Sequence, residues 1–336
     1  MVDFESSSCI DVVITWVDGD DPKHKAKLNS FLGRKNRGNI SGADETRFGS
    51  INEIKYCVLS IIKFAPFVRN IFIVTDDQNP NIDDDIKKLY PERLKSIRIV
   101  DHKEIFEGYE SFIPTFNSIC IGNMVCRIKG LSDNFVLFND DLFLIKDIKP
   151  EDWFRNGRPI MRGRWRKRPS VVLLKKKLLK YYRERVLKNK DANLISVFKV
   201  TQFFGAQILG FKKQFFRTEH TPHPMNKIRL KEYYKENESI LKRNLKYRIR
   251  HYNQFNTVSL ANHLEIKSGN TNQITDNAEF VYLNPYGKYF NYVNRKLAIC
   301  NNENKKFMCA QSLDIATESD KDKVIGCLEK LLIKNE

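Results

Sequence analysis

Two short apolar segments of this sequence end in acidic residues. Residues 10–17 are followed by Asp18, and residues 134–138 are followed by Asn139, Asp140 and Asp141. A short run rich in β-branched residues predicts a buried strand, whose trailing acids lie at the carboxyl edge of a sheet, where open α/β sheets bind ligands. Adjacent carboxylates repel each other, and a divalent cation with hard oxygen ligands relieves that repulsion. Asp140 and Asp141 are therefore predicted to hold a metal ion on a diphosphate, with a solvated acidic turn as the alternative for each segment.

The elements that must position these acids alternate along the first 150 residues. Short strands are predicted near residues 12–17, 71–75, 97–100 and 135–138, and helices over 52–64 and within 114–125. Such alternation is typical of a mostly parallel sheet with helices on its faces. We therefore expect three parts: an α/β core over 1–150, a mainly helical basic region over 151–270, and a C-terminal segment over 271–336 that returns to the core.

Composition and targeting signals favour a cytoplasmic protein. The 336 residues include 58 Lys and Arg against 41 Asp and Glu, a formal net charge of +17. The N-terminal residues lack the basic and apolar regions of a signal peptide, and no apolar run approaches the roughly 20 residues of a spanning helix. The seven cysteines are scattered without Cys-x-x-Cys spacing, which is typical of reduced thiols rather than of a disulfide framework or a zinc site.

Much of the positive charge lies in residues 155–190. Apolar residues at helical spacing within it, including Val171, Leu174 and Leu178, predict a basic amphipathic helix. This helix either docks on an anionic membrane, at its inner face, or on a polyanionic polysaccharide, or it packs its apolar face on the core. Nucleic acid is not expected as a partner, because no recognised nucleic-acid module is present and acidic strand ends repel phosphate without a metal.

Four motifs occur along the chain in a characteristic order. The first is Trp16-Val-Asp-Gly, and the second spans roughly residues 47–143. The third is His220-Thr-Pro-His-Pro with Arg-Ile-Arg-His at 248–251, and the fourth, a looser match, is Lys-Phe-Met-Cys-Ala-Gln at 306–311. Together they resemble the Stealth family of sugar-phosphate transferases. That family includes bacterial capsule and exopolysaccharide phosphotransferases and the animal N-acetylglucosamine phosphotransferase that tags lysosomal enzymes.

The resemblance implies a fold and a reaction. The fold would be a Rossmann-like, glycosyltransferase-A-like (GT-A-like) nucleotide-sugar core with a basic helical insertion. The enzyme would move a sugar together with its phosphate from a UDP-sugar to a hydroxyl of an oligosaccharide or polysaccharide acceptor, and release UMP. Mg²⁺ or Mn²⁺ would sit on Asp140 and Asp141, with Asp18 near the same pocket. The rival functions are a glycosyltransferase that releases UDP and a non-catalytic polyanion- or membrane-binding protein.

The same resemblance implies roles for residues of the third motif. Arg250 matches the family's arginine downstream of the histidines, and its guanidinium suits bidentate contact with phosphate. His220 is the predicted general base for the acceptor hydroxyl, because an unperturbed imidazole titrates near neutral pH. His223 is its rival.

Other residues are candidates for substrate binding, each with a structural alternative. Arg47 and Arg127 would bind phosphate or form structural ion pairs, and Asn117 would hydrogen-bond the sugar or the nucleotide. Trp16 would stack near the base or lie in the core, and Asp11 would serve the site or anchor the fold. His24, which lies among lysines, is expected to be solvated.

Overall fold

A computed structural model describes residues 9–33, 52–185, 198–276 and 278–333. The strands, in chain order, are β1 (Ile10–Thr15), β2 (Ile71–Thr75), β3 (Ile97–Asp101), β4 (Asn134–Asn139), β5 (Leu142–Leu144), β6 (Phe154–Arg155), β7 (Arg158–Pro159), β8 (Met161–Lys167), β9 (Gln214–Thr218), β10 (His223–Asn226), β11 (Gln273–Ile274), β12 (Phe280–Leu283) and β13 (Phe307–Ala310). The α-helices are α1 (Pro22–Leu32), α2 (Glu53–Phe64), α3 (Asp83–Leu89), α4 (His102–Ile105), α5 (Ser118–Met124), α6 (Ser170–Arg185), α7 (Phe198–Ile208), α8 (Lys227–Glu236), α9 (Glu238–Leu245), α10 (Thr257–Lys267), α11 (Tyr292–Cys300) and α12 (Glu318–Leu332).

The central sheet has the strand order β10-β4-β1-β2-β3. The strands β1 to β4 are parallel, and β10 is antiparallel to β4 at one edge. This sheet confirms the prediction of a mixed α/β fold with a mostly parallel sheet. The first strand lies two residues earlier than predicted, so Trp16 follows the strand instead of lying within it.

Strand β1 is buried on both faces, as expected for a central parallel strand. Val12 and Ile14 pack with helices α2 and α12 on one face, whereas Val13 packs with helices α5, α8, α9 and α10 on the other. This division follows from the two-residue period of a strand. The result is three layers, with the sheet between two helical layers.

The strand order reverses direction at β1, which creates a place for a ligand. The chain runs outward from β1 to β2 and β3 and then returns to the other side of β1 as β4. Crevices outside the carboxyl ends of the strands at such a switch point are the usual ligand sites of open α/β sheets. The chain segments after Thr15 of β1 and Asn139 of β4, which pair with each other, border this crevice.

Directly after the acidic turn, the chain enters a second sheet. Strand β5 pairs antiparallel with β13, and β13 pairs parallel with β12. The C-terminal segment thus packs beside the acidic turn. Cys309 contacts Asp141 there, although the two residues are 168 positions apart in the sequence.

The middle region contains strands as well as the helices that we expected. Besides helices α6 to α10 it contains strands β8 and β9, and its strand β10 completes the central sheet. The residues of β10 read as loop in sequence because they include Pro224. Proline is tolerated in a sheet mainly on an edge strand, which is the position of β10. The region is therefore interleaved with the core.

The predicted basic helix is α6. The residues of its predicted apolar face are exposed, whereas Leu173 packs against a small cluster that includes Phe203 and Phe215. Val171, Leu174 and Leu178 are 58–67% accessible. The alternative in which this face packs on the core is therefore not seen among the residues that the structure describes. Within those same ranges, no helix combines the length and the apolar character needed to cross a membrane. All seven cysteines are free thiols, as predicted.

Candidate active site

A cavity of about 560 Å³ opens at the carboxyl edge of the central sheet. Its wall combines residues that follow four parallel strands with residues from the histidine motif and from the end of β13. The lining residues used below are Trp16, His24, Glu53, Asp76, His102, Phe116, Ser118, Asn139, Asp140, Asp141, His220, His223, Arg250, Ala310 and Gln311. The structure thus brings Asp140, Asp141, His220, His223, Arg250 and Trp16 to one cavity.

The acid pair lies at the turn between β4 and β5. Burial raises the pKa of Asp140 well above its usual value, and the charges of Asp141 and Glu53 raise it further. Burial also raises the pKa of Asp141 to about 6, and Glu53 adds to this effect. Glu53 begins helix α2 and completes a group of three converging carboxylates. Such mutual destabilisation of ionised acids is common at functional sites.

Strand β13 holds Asp141 in place. The backbone N–H of Ala310 donates to the main-chain oxygen of Asp141 at 3.0 Å, and the thiol of Cys309 donates to Oδ2 at 3.5 Å. The Oδ1 atom is buried and has no partner at hydrogen-bond geometry among the described residues, whereas a weaker hydrogen-bonding interaction of the carboxyl with the Gln311 side chain lowers its pKa. Cys309 therefore orients Oδ2 of Asp141, while Oδ1 makes no hydrogen bond among the described residues.

These carboxylates suit a divalent cation that also binds a diphosphate. Across the described ranges, no group of three or more His, Cys, Asp or Glu side chains is arranged to hold a metal ion by itself. Mg²⁺ commonly takes one or two protein carboxylates and completes its shell with water and substrate phosphates. The unpartnered Oδ1 of Asp141 and the raised pKa values fit that arrangement.

His220 is held between two aromatic rings on the other side of the cavity. Its imidazole stacks on Phe198 with 4.9 Å between ring centroids and on Tyr282 with 5.8 Å. Burial lowers its pKa, as do the positive charges of Arg217 and Arg250. His220 is therefore neutral at pH 7, the form that a proton acceptor needs.

The two other residues of the histidine motif differ in chemical role. Arg250 donates from Nη2 to Ser118 Oγ at 2.7 Å, which fixes the guanidinium at the N-terminus of helix α5. His223 lies on β10 opposite Leu137 of β4. Burial and the neighbouring His220 lower its pKa to about 3, so His223 is a weak proton acceptor.

The far end of the cavity, beyond β1, is lined mainly by rings. Trp16 follows β1, and His102 follows β3. His24 of helix α1 packs its ring edge against Phe116 with 5.5 Å between centroids. Only 5% of His24 is exposed, so the expectation that it is solvated was wrong. Helix α1 packs this face toward the sheet despite its flanking lysines.

Two predicted substrate ligands bind the protein itself. Asp11 lies at the amino end of β1, fully buried, and accepts hydrogen bonds from Arg69 at 2.6 and 3.0 Å. The structure therefore places it away from the cavity and favours the alternative in which it anchors the fold. Arg127 donates to the main-chain oxygens of Ile105 and Glu107, so its guanidinium joins two loops on the protein.

Asn117 and Asp18 lie near the cavity without lining it. Asn117 is fully buried and caps helix α5 by accepting from the backbone N–H of Ile119, and its amide donates to Tyr247 and Gln254. With these bonds made, it has little capacity left for a substrate. Asp18 accepts from the backbone of Asp20 within its own turn. Arg47 lies outside the described residues.

Several titratable cavity residues besides Asp314 were not assigned to the site from sequence. They are His24, Glu53, Asp76 and His102. Asp76 and His102 follow strands β2 and β3 at the carboxyl edge, so the rule that selected Asp140 could have found them. Glu53 and His24 are at or near helix starts, and only the packing of those helices brings them to the cavity.

Fold and site together define an α/β protein with an acidic, histidine-containing cavity at the switch point of a mostly parallel sheet. Comparison with known families matches residues 10–36 to conserved region 1 of Stealth proteins and residues 47–161 to conserved region 2. The chain therefore carries Stealth conserved regions 1 and 2, which confirms the resemblance inferred from its sequence.

Named relatives share part of the chain. A capsular polysaccharide phosphotransferase of Actinobacillus pleuropneumoniae is 39% identical over 150 residues, which are 44% of this chain and 39% of that protein. An exopolysaccharide phosphotransferase of Streptomyces coelicolor is 39% identical over 145 residues, 43% of this chain and 25% of that protein. The chain thus matches well under half of the length of these relatives. Among solved structures, the galactosyltransferase LgtC aligns over 97% of both chains with 10% identity and a TM-score of 0.45.

Proposed function

We propose that this protein is a capsular or cell-surface polysaccharide phosphotransferase. It moves a hexose 1-phosphate from a UDP-sugar to a hydroxyl of an acceptor saccharide, forms a phosphodiester and releases UMP. The observation that carries this proposal is the convergence of Asp140, Asp141, His220 and Arg250 on one cavity in a chain with both Stealth regions. The names of the relatives support the reaction class.

The acid pair would hold Mg²⁺ or Mn²⁺. When bound there, the cation neutralises negative charge on the donor diphosphate. Phosphoryl transfer depends mainly on such charge neutralisation and on the positioning of the reacting groups. Asp141 would hold the ion through Oδ1, which makes no hydrogen bond to the residues described.

His220 acts as the general base. It removes the proton from the acceptor hydroxyl, whose oxygen attacks the phosphorus that carries the sugar. The bond from that phosphorus to the bridging oxygen breaks, and UMP leaves with that oxygen. The stacked rings of Phe198 and Tyr282 hold the imidazole in one plane. A positioned base of this kind contributes about 10²–10⁴-fold in rate.

Arg250 would bind the transferred phosphate. Its guanidinium carries positive charge close enough to His220 to lower that residue's pKa. The same position lets it stabilise negative charge on the phosphoryl oxygens while His220 holds the acceptor proton. A guanidinium forms strong, oriented hydrogen bonds to such oxygens.

The nucleotide released from UDP-sugars tests the reaction class. The purified protein is incubated with UDP-hexoses, Mn²⁺ and an oligosaccharide acceptor, and the nucleotides are separated by ion exchange. UMP that depends on metal and acceptor is the expected product. UDP would identify a glycosyltransferase instead, and release of neither nucleotide across the donor panel would favour a non-catalytic binding protein.

Matched variants test the residue assignments in the same assay. His220→Ala should lower turnover by about 10²-fold or more, and Asp140→Asn should abolish the metal-dependent turnover. Asp147→Asn, an acid on the exposed surface just beyond β5, is the control and should retain full turnover. Turnover of His220→Ala within a few-fold of wild type would refute the assignment of the base.

A further inference from the structure

Three exposed aromatic rings lie in the loop that follows strand β12. Tyr286 is 63% exposed, Tyr289 is 58% exposed and Phe290 is 96% exposed. We call residues 284–292 the aromatic loop. Apolar surface in contact with water costs free energy, and exposed apolar groups that cluster in one place usually mark a binding surface.

The aromatic loop begins at the edge of the cavity. Strands β12 and β13 are parallel and pair Leu283 with Ala310, so their carboxyl ends lie side by side. Gln311, which follows β13 and lines the cavity, donates its backbone N–H to the main-chain oxygen of Leu283 at 2.9 Å. Its side chain accepts a 2.7 Å hydrogen bond from Tyr282, the ring that stacks on His220. The chain therefore leads from the His220 side of the cavity directly into the loop.

Hydrogen bonds within the loop hold its backbone. The side-chain oxygen of Asn284 accepts from the backbone N–H of Tyr286 at 3.2 Å, and the N–H of Lys288 donates to the main-chain oxygen of Pro285 at 3.1 Å. Between them, Gly287 has a φ of +64°, a conformation that favours glycine. A loop that is held in this way before a ligand arrives loses less freedom when the ligand binds.

The segment around the loop carries only positive charges. Residues 280–302 include Lys288, Arg295 and Lys296 and contain no acidic residue. The guanidinium of Arg295 lies over the Tyr289 ring, 5.6 Å from its centroid. Cations are thus placed beside aromatic rings. This combination suits a ligand in which apolar ring faces alternate with negative charges.

A saccharide chain with phosphodiester links has this alternation. One face of a pyranose presents aliphatic C–H groups that pack on an aromatic ring, while its hydroxyls form hydrogen bonds at the edge. Each phosphodiester carries a negative charge that lysine or arginine can pair with. The proposed reaction adds one such link in every turnover. A lipid surface would also bind exposed rings and cations, but it gives no reason for their position beside His220.

We propose that the aromatic loop binds the part of the acceptor that lies outside the cavity, an anionic saccharide chain whose sugar rings pack on Tyr286, Tyr289 and Phe290. This proposal rests on the proposed function, which supplies an acceptor with phosphodiester links. The terminal sugar of the acceptor lies in the cavity at His220, and the loop holds the preceding units. Acceptors long enough to reach the loop therefore bind more tightly than short ones.

Calorimetric titration with a synthetic octamer of glucose joined by phosphodiesters tests the loop without catalysis. Phe290→Ala should weaken octamer binding by about tenfold, as loss of a central aromatic contact commonly does. Tyr286→Ala should weaken it by several-fold, whereas Tyr286→Phe, which keeps the ring, should remain within about twofold of wild type. Lys288→Gln should weaken it by several-fold at low salt and less at high salt, where the charges are screened.

A matched control separates this role from a general effect of removing exposed rings. Tyr181 on helix α6 is exposed to the same extent as Tyr286, so Tyr181→Ala should bind the octamer as wild type does. Phe290→Ala should leave the Tm unchanged because nearly all of that side chain is exposed, so a loss of binding is not a loss of structure.

Three results would overturn the proposal. They are a wild type that does not bind the octamer, Phe290→Ala and Tyr286→Ala variants that both bind it within twofold of wild type, and a Tyr181→Ala variant that binds it as weakly as Phe290→Ala. Sedimentation with phosphatidylglycerol vesicles tests the lipid alternative. A Phe290→Ala variant that loses vesicle binding and keeps octamer binding would assign the loop to a membrane surface instead.

The outcome is distinguishable from that of the proposed function. If the protein releases UDP rather than UMP but octamer binding depends on Phe290 and Tyr286, the reaction class fails and the saccharide site stands. If it releases UMP while both alanine variants bind the octamer as wild type does, the saccharide site fails and the reaction class stands.

Discussion

Replacing Asp141 by Asn should stabilise the protein at pH 7.5 in the absence of divalent cations. Burial raises the pKa of this carboxyl from 3.8 to about 6, so its ionised form is disfavoured in the folded state. A shift of this size corresponds to about 3 kcal/mol of lost stability once the group is ionised. Asparagine carries no charge and keeps an oxygen that can accept the hydrogen bond from Cys309.

The pH dependence follows from the direction of this shift. Between about pH 4 and pH 6 the folded state binds more protons at Asp141 than the unfolded state, so wild-type stability falls as pH rises. The advantage of Asp141→Asn is therefore absent below pH 4, grows through this window and is complete above pH 6. Added Mn²⁺ at pH 7.5 should stabilise wild type and leave the variant unchanged.

Thermal unfolding in EDTA measures the effect. The entropy of unfolding for a chain of this length is about 0.7 kcal/mol/K, so 3 kcal/mol corresponds to a rise in Tm of about 4 °C. Asp147→Asn, on the exposed surface, is the control and should not change the Tm. A lower Tm for Asp141→Asn at pH 7.5, or the same gain at pH 4 as at pH 7.5, would refute the argument.

Three further predictions concern residues around the cavity. Cys309→Ala should lower Mn²⁺ affinity by about 10–100-fold, as loss of an orienting contact to a metal ligand usually does. Cys309→Ser should retain the wild-type affinity because serine still donates to Asp141. A Mn²⁺ titration followed by electron paramagnetic resonance would measure the difference. Arg217→Gln should raise the pKa of His220, so the acidic limb of the kcat/KM profile should move to higher pH; an unmoved limb would exclude His220 as the titrating base. Asp11→Ala should lower the free energy of unfolding by about 1–3 kcal/mol, since it removes the buried acceptor of two hydrogen bonds from the partly exposed Arg69. It should leave UMP affinity unchanged in the folded protein, and weaker UMP binding would show that Asp11 acts on the site.

Local patterns were enough to predict the acid end of the cavity. Strand β4 and the acids after it are adjacent in sequence, so the polar residues at a strand end could be located without knowing the rest of the fold. The same rule argues against Asp11, which occupies the amino end of β1, and it could have selected Asp76 and His102.

Tertiary packing decides the environments of His24 and Asn117. His24 has lysines on both sides, yet one face of helix α1 packs on Phe116 and buries the imidazole. Asn117 has the composition of a polar ligand, but the cap of helix α5 and two distant acceptors use its amide. The cap by Asn117 is a local feature, but Phe116 beside His24 and the acceptors Tyr247 and Gln254 of the Asn117 amide are far away in sequence.

The pairing of β5 with β13 is the largest feature that local reasoning could not supply. The residues of β13 read as a strand, but nothing in them identifies Leu142 and Phe143 as partners. Hydrogen bonds between strands so distant in sequence depend on the register of the whole fold. The role of the fourth motif as a support for Asp141 is visible only in three dimensions.

This pairing also has a consequence for synthesis on the ribosome. Asp141 and Cys309 are separated by 168 residues, and at about 5–20 residues per second the first is made about 8–30 s before the second. During that interval the early parallel strands can assemble, while the acidic turn lacks the strand that orients it. A nascent chain released before β13 would therefore bury much of its core and still be unable to organise its acid pair. The acid pair becomes organised only after the residues of β13 have been made.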